Sequence, residues 1–190
     1  MFSGVCACAL SLCAWLTPAR GISNESAAVA PSVLDKAASN WQEFHSVVGK
    51  CKMHFPAYPE HVSEKLSMPG DEYELRYDAY ISSMDQQAVF MLLIAQYPEF
   101  VDESYAQMSL EGFLNGVLSH NPSNQLIFAD LVLVEGHSAL DFFIRTGGVY
   151  FKGRALMVKN SLYLMAMECE VQTYDEGHYN HFIDSFHLAK

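Results

Sequence analysis

His178 and His181 stand three residues apart with Asp175 and Asp184 beside them, a spacing that sets two imidazoles on one helix face where they could share a divalent ion. A complete site needs a third or fourth ligand from another element, and the other candidates, His54, His61, His120, His137 and His187, are scattered along the chain. A solvated polar helix face explains the pair without a metal, so no metal or cofactor is expected. Cys6, Cys8 and Cys13 look like a thiolate cluster, but they fall in an amino-terminal segment that reads as a removable leader. The chain has no Gly-x-Ser-x-Gly, no His-Glu-x-x-His and, after the leader, no Cys-x-x-Cys. A hydrolase built from separated Ser, His and Asp side chains stays open as an alternative, because triads are defined by geometry rather than by motif. Gly147-Gly148 and Gly153 read as turn and bulge residues in hairpins, whereas a phosphate cradle would open a helix.

Tyr150, Lys152 and Arg154 share one parity and form a small basic and aromatic stripe on an acidic chain. Tyr and Arg are favoured at interface centres, so the stripe could meet an acidic partner; as an exposed strand face it needs none. Met157, Met165 and Met167 suit core gaps, with a Met-rich groove for lipid or peptide as the alternative. Cys51 and Cys169 allow two states. A disulfide would close a loop of over a hundred residues and stabilise the fold by about 3 to 5 kcal/mol, and two buried free thiols are the other choice.

The bulk numbers narrow the function class. With 22 acidic against 11 basic side chains, the net charge of −11 disfavours nucleic acid and anionic membrane surfaces, both of which need clustered Lys and Arg. A hydrophobic fraction of 51% over 190 residues is enough for one self-sufficient core. Residues 1–19 carry no charge, and the apolar stretch from Val5 to Leu16 has the length of a signal-peptide core but is too short to span a bilayer. The expectation is a signal peptide at 1–19, a flexible mature amino terminus at 20–39 and one domain at 40–190. That places the protein in the periplasm or outside the cell, with no integral membrane segment in the mature chain.

The elements that would position these residues follow from hydrophobic spacing. Trp41 to Phe44 and Cys51 to Pro56 suggest strands. Tyr73, Leu75, Tyr77, Ala79 and Ile81 alternate with Glu74, Arg76, Asp78 and Tyr80, the pattern of a half-buried strand. Ala88 to Tyr97 is apolar on both parities, as in a central strand. The period then changes: Leu110, Phe113, Leu114, Val117 and Leu118 form one helical stripe, with Ser104 and Gln107 as a capping box and Asn121-Pro122 as the stop. Leu126 to Val134, Leu140 to Arg145, Val149 to Val158 and Leu162 to Val171 read as four more strands. A last helix is capped by Asp175, with Tyr179, Phe182, Ile183 and Phe186 facing inward.

This order, with Trp41-x-x-Phe44, Phe55-Pro56-x-x-Pro59, Tyr97-Pro98, Glu135-Gly136, Phe142, Gly153-Arg154, Asn160-Ser161-Leu162-Tyr163 and Phe182-x-x-Ser185-Phe186, resembles the PsbP-like superfamily over Trp41 to Leu188. That superfamily groups the PsbP, DcrB and Ran-binding import factor fold with an exported bacterial branch. The resemblance implies an α/β (α+β) fold, an α/β/α sandwich around an antiparallel sheet, and a non-enzymatic binding or accessory role. It carries over no active site, since the matching positions are turn residues and core aromatics. The expected function is therefore an exported accessory protein with an unknown protein partner in the same compartment. A small-ligand or lipid carrier with a pocket between sheet and helices is the alternative.

Overall fold

The computed structural model describes residues 41–67, 74–85 and 87–189. The predicted signal peptide at 1–19 and flexible stretch at 20–39 lie outside the described residues. Two short strands come first, β1 (Gln42–Ser46) and β2 (Cys51–Phe55), followed by β3 (Glu60–Ser67), β4 (Glu74–Met84) and β5 (Ala88–Gln96). Helix α1 (Ala106–His120) leads to β6 (Asn124–Val134), β7 (His137–Thr146), β8 (Val149–Val158) and β9 (Ser161–Glu170). Helix α2 (Glu176–Asp184) and the two-residue β10 (His187–Leu188) complete the series.

Seven strands form one antiparallel sheet in the order β3-β4-β5-β9-β8-β7-β6, and β1-β2-β10 form a second, smaller one. The order has a simple origin. The first meander, β3 to β5, ends at the middle of the sheet, and α1 then carries the chain to the far edge, from which β6 to β9 meander back to pair with β5. Strands β5 and β9 are apolar on both parities because they lie at this seam, covered above and below.

On one face, Leu110, Phe113 and Val117 of α1 join Leu93, Phe142 and Leu164 in a common core, with the rings of Phe113 and Phe142 5.7 Å apart. On the other face, α2 and the small sheet cover Phe90, Leu92, Met165 and Met167. Phe182 of α2 meets Phe90 at 5.1 Å and Phe55 of β2 at 5.4 Å, in edge-on geometries that suit ring quadrupoles. The result is the α+β sandwich with a central antiparallel sheet that the periodicities and the resemblance lead one to expect.

Two local expectations need correction. Strand β4 is not half-buried: Asp78 is only 2% exposed and Tyr80 is buried, because the small sheet covers the parity that its polar residues occupy. The Ser104–Gln107 capping box does not form either. Asp102 takes both the Ser104 amide (2.9 Å) and its hydroxyl (2.5 Å), a 3-10 turn spans Glu103–Tyr105, and Gln107 turns to Glu111 at 2.8 Å. An aspartate two residues before the serine offers a shorter ring closure, which uses up the hydroxyl a capping box needs. Asp175 does cap α2, accepting from the His178 amide at 2.9 Å.

Gly153 lies within β8 rather than in a turn, facing Phe142 across the strand pair. A β-carbon there would come within 2.5 Å of the Met165 carbonyl oxygen and 2.9 Å of the Phe142 ring. Backbone on one side and a packed core aromatic on the other cannot both yield. Gly153→Ala is therefore expected to destabilise the fold by about 2 kcal/mol, the scale of overpacking a tight core. Urea denaturation measures it, and an unchanged midpoint would show that the β8–β9 seam can open at no cost.

Candidate functional site

The two edges of the large sheet differ in chemistry. Along β3, Glu60, Glu64 and Lys65 place charges on the outer strand, the usual protection against edge-to-edge pairing. Along β6, the sequence NQLIFADLVLV carries one charge in 11 residues, Asp130, with no Lys and no Pro. Among the described residues its backbone pairs only with β7, so one full side of β6, roughly 35 Å of strand at about 3.4 Å per residue, presents amides and carbonyls without a strand partner there.

The side chains of β6 are open as well. By register, Leu131 and Leu133 lie opposite Leu140 and Ser138 on the face that carries α1, yet they remain 49% and 76% exposed. Leu126, Ile127 and Phe128 are also exposed, around a register shift between Leu126 and Phe128. A groove of about 230 Å³ runs between α1 and this strand, lined by Gln107, Leu131, Val132, Leu133 and Ser138. The hairpin that follows is tight. Glu135 (φ 51°) and Gly136 (φ 87°) both take the left-handed conformation of a two-residue turn, which fixes the pairing of β6 with β7. Contiguous apolar surface of this kind marks sites of protein interaction.

The stripe singled out in the sequence lies elsewhere, beneath α2, and its charges are already used. Lys152 is 7% exposed. Its ammonium donates to both oxygens of Glu176 (2.7 and 2.8 Å) and to the Tyr174 hydroxyl (2.8 Å), and stands 4.2 Å from the centre of the Tyr179 ring. Arg154 donates to both oxygens of Asp141 at 2.6 and 2.8 Å. Tyr150 packs against Phe143 and Tyr174, with ring centres 4.8 and 5.5 Å away. No residue of the stripe is left as an open cation for an acidic partner, because α2 folds over that parity. Period alone does not reveal such cover.

Cys51 and Cys169 are both buried and both free thiols, on β2 and β9. Burial pushes Cys51 up to about 12 and, with Glu168 beside it, Cys169 up to about 11, so neither presents the thiolate that acts as a nucleophile. His178 and His181 gather around Trp41, at 6.4 and 4.7 Å between ring centres, and His54 approaches His181 at 5.5 Å. Burial, followed by the neighbouring His54 and His178, holds His181 below the usual imidazole range. Among the described residues, no three His, Cys, Asp or Glu side chains are arranged to hold a metal ion.

One pairing had no signal in the sequence. His61 Nε2 lies 2.9 Å from the buried Asp78 carboxylate, and its ring stacks on Tyr80 at 4.5 Å. The nearby Ser46 hydroxyl donates to the Tyr80 hydroxyl (3.2 Å) and accepts from the Gly49 amide (3.0 Å). Serine and imidazole thus meet the same tyrosine and not each other, and the nucleophile-to-base hydrogen bond of a triad is not formed among the described residues. What this arrangement does is satisfy Asp78, whose burial demands a partner.

The architecture defines a class, an α+β sandwich with one blunted edge and one open apolar edge. Among solved structures it is similar to the solution structure of cyanobacterial PsbP from Synechocystis. That match is 14% identical, covers 78% of this chain and 92% of that one, and has a TM-score of 0.56. The chain therefore has a PsbP-like fold. A protein of unknown function from Pseudomonas aeruginosa matches at 11% identity, covering 70% of this chain and 85% of the other, with a TM-score of 0.39. No protein-family model and no curated protein matches the sequence. Among the described residues, no helix is long and apolar enough to cross a membrane.

Proposed function

We propose that this chain is an exported accessory protein that binds another protein rather than transforming a substrate. The observation that carries this reading is the β6 edge, where, among the described residues, an 11-residue strand has no partner on its outer side and Leu131 and Leu133 are 49% and 76% exposed. Covering leucine side chains as open as these contributes about 1 to 2 kcal/mol each, and a free strand edge adds directional hydrogen bonds. A carrier is less well supported, since the groove at this edge, at about 230 Å³, is below the roughly 300 to 1,000 Å³ of small-molecule sites. The resemblance to the PsbP-like superfamily supports the same non-enzymatic role, and the apolar leader supports export.

The test is a pair of affinity captures from the native compartment, with the wild-type chain and with the double variant Leu131→Lys, Leu133→Lys. Leu133 is mostly and Leu131 about half exposed, so the variant is expected to keep its stability within about 1 kcal/mol. It is also expected to lose at least about tenfold in recovery of a stoichiometric partner, since charges now block the edge. Undiminished recovery by the variant, or wild-type protein recovered with a small molecule and no partner, would overturn the reading.

A further inference from the structure

The row of residues that crosses the middle of β6 has a surplus of negative charge. Arg154 on β8 stands opposite Asp141 on β7, and Asp141 stands opposite Asp130 on β6. The guanidinium holds the Asp141 carboxylate with two short hydrogen bonds, at 2.6 and 2.8 Å. Asp130 is exposed and, among the described residues, has no hydrogen bond or ion pair. Like charges directly opposed on neighbouring strands are unfavourable, so the row reads cation, anion, anion, open edge. One more strand carrying a cation at this position would complete the alternation.

We propose that the β6 edge takes an extended segment of a partner protein as an eighth strand, with a Lys or Arg opposite Asp130 and apolar residues on either side of it. This rests on the protein-binding reading above and adds what the partner must look like. The outer backbone of β6 supplies hydrogen bonds along the strand whatever the partner's side chains. Apolar partner residues cover Phe128 and Val132 on the face that Asp130 shares, and Leu131 and Leu133 on the other. The cation fixes the register, because a slip of one residue moves it to the opposite face, beside leucine instead of aspartate. A second copy of the chain does not meet this requirement. β6 has no Lys or Arg to offer, and an antiparallel pair centred on Asp130 would set two aspartates face to face between chains of net charge −11.

The experiment uses the full chain and two capped, fluorescently labelled heptapeptides, Thr-Val-Val-Lys-Val-Val-Thr and the same peptide with Glu at the centre. Anisotropy titrations are expected to show the Lys-centred peptide binding at least about fivefold more tightly, with amide-exchange protection rising along 124–134. In the Asp130→Lys variant, whose changed side chain is solvent-exposed, the order of the two peptides is expected to reverse. Equal affinities, or a Lys preference that survives Asp130→Lys, would overturn the proposal. Failure of both peptides to bind, while Leu131→Lys with Leu133→Lys still abolishes partner capture, overturns strand addition and leaves the protein-binding reading in place. A wild-type dimer in sedimentation that the same double variant disperses assigns the edge to a second copy, and overturns the proposal too.

Discussion

Glu168→Gln is expected to stabilise the protein at pH 8 by about 3 kcal/mol and to leave it unchanged near pH 4. Glu168 lies on β9 with Phe151 and Val89 as its cross-strand neighbours, on the face whose core continues through Leu164 and Ala166. Burial among these groups pushes its carboxyl from the ordinary 4.5 up to about 7. The folded chain therefore holds this proton to a higher pH than the unfolded chain does. As the pH rises from about 4.5 to about 7, the unfolded state has already ionised while the folded state has not, so stability falls through that window and stays low above it. The difference between 4.5 and about 7 is worth about 3 kcal/mol between the two protonation states. The direction is opposite to that of a salt-bridged carboxylate, which loses stability on acidification. Glutamine keeps the shape and removes the ionisation. Urea midpoints of wild type and variant should coincide near pH 4, separate between about pH 4.5 and 7 and stay apart above that, and parallel curves across pH 4 to 8 would show that solvent reaches the carboxylate freely.

The ion pair under α2 yields the second large effect, and it is asymmetric. Lys152 is buried with its ammonium among Phe143, Tyr174 and Tyr179, whereas the Glu176 side chain is 55% exposed in the first turn of α2. Removing the glutamate charge strands a buried cation. Removing the lysine charge leaves a carboxylate that water can solvate, at a helix amino terminus that favours it. Glu176→Gln is therefore expected to destabilise by about 2 to 3 kcal/mol, and Lys152→Met, which keeps the aliphatic stem packed, by only about 1. The aromatic faces around the ammonium retain part of the interaction in the glutamine variant, which limits its loss. Equal losses for both variants, read from chemical denaturation at pH 7, would mean that the pair behaves as a surface contact.

Strand-by-strand, much of this fold is legible in the chain. The two-parity apolar runs of β5 and β9, the i, i+3, i+4 stripe of α1 and the Asp175 cap all correspond to structure because each depends on neighbours within a few residues. The candidate site was far less legible. Leu126 to Val134 is as apolar as an interior strand, and nothing within it says that one side lacks a neighbour. Tyr150, Lys152 and Arg154 alternate as an outward stripe would, yet α2, more than twenty residues further on, lies over them. His61 and Asp78 are 17 residues apart and meet only because β3 and β4 pair in that register.

By itself, the sequence determined both helices, eight of the ten strands (β3 and β10 excepted) and most of the core side chains, since hydrophobic period and turn chemistry act locally. Only the tertiary structure decided which faces are covered and which edge is open. The α1 crossover delivers β6 to the rim instead of the interior, the small sheet closes over Asp78 and Tyr80, and α2 closes over Lys152. Those outcomes depend on contacts between segments far apart along the chain, whose cover a periodic pattern cannot encode, and they turned an apparently ordinary strand into an exposed apolar edge.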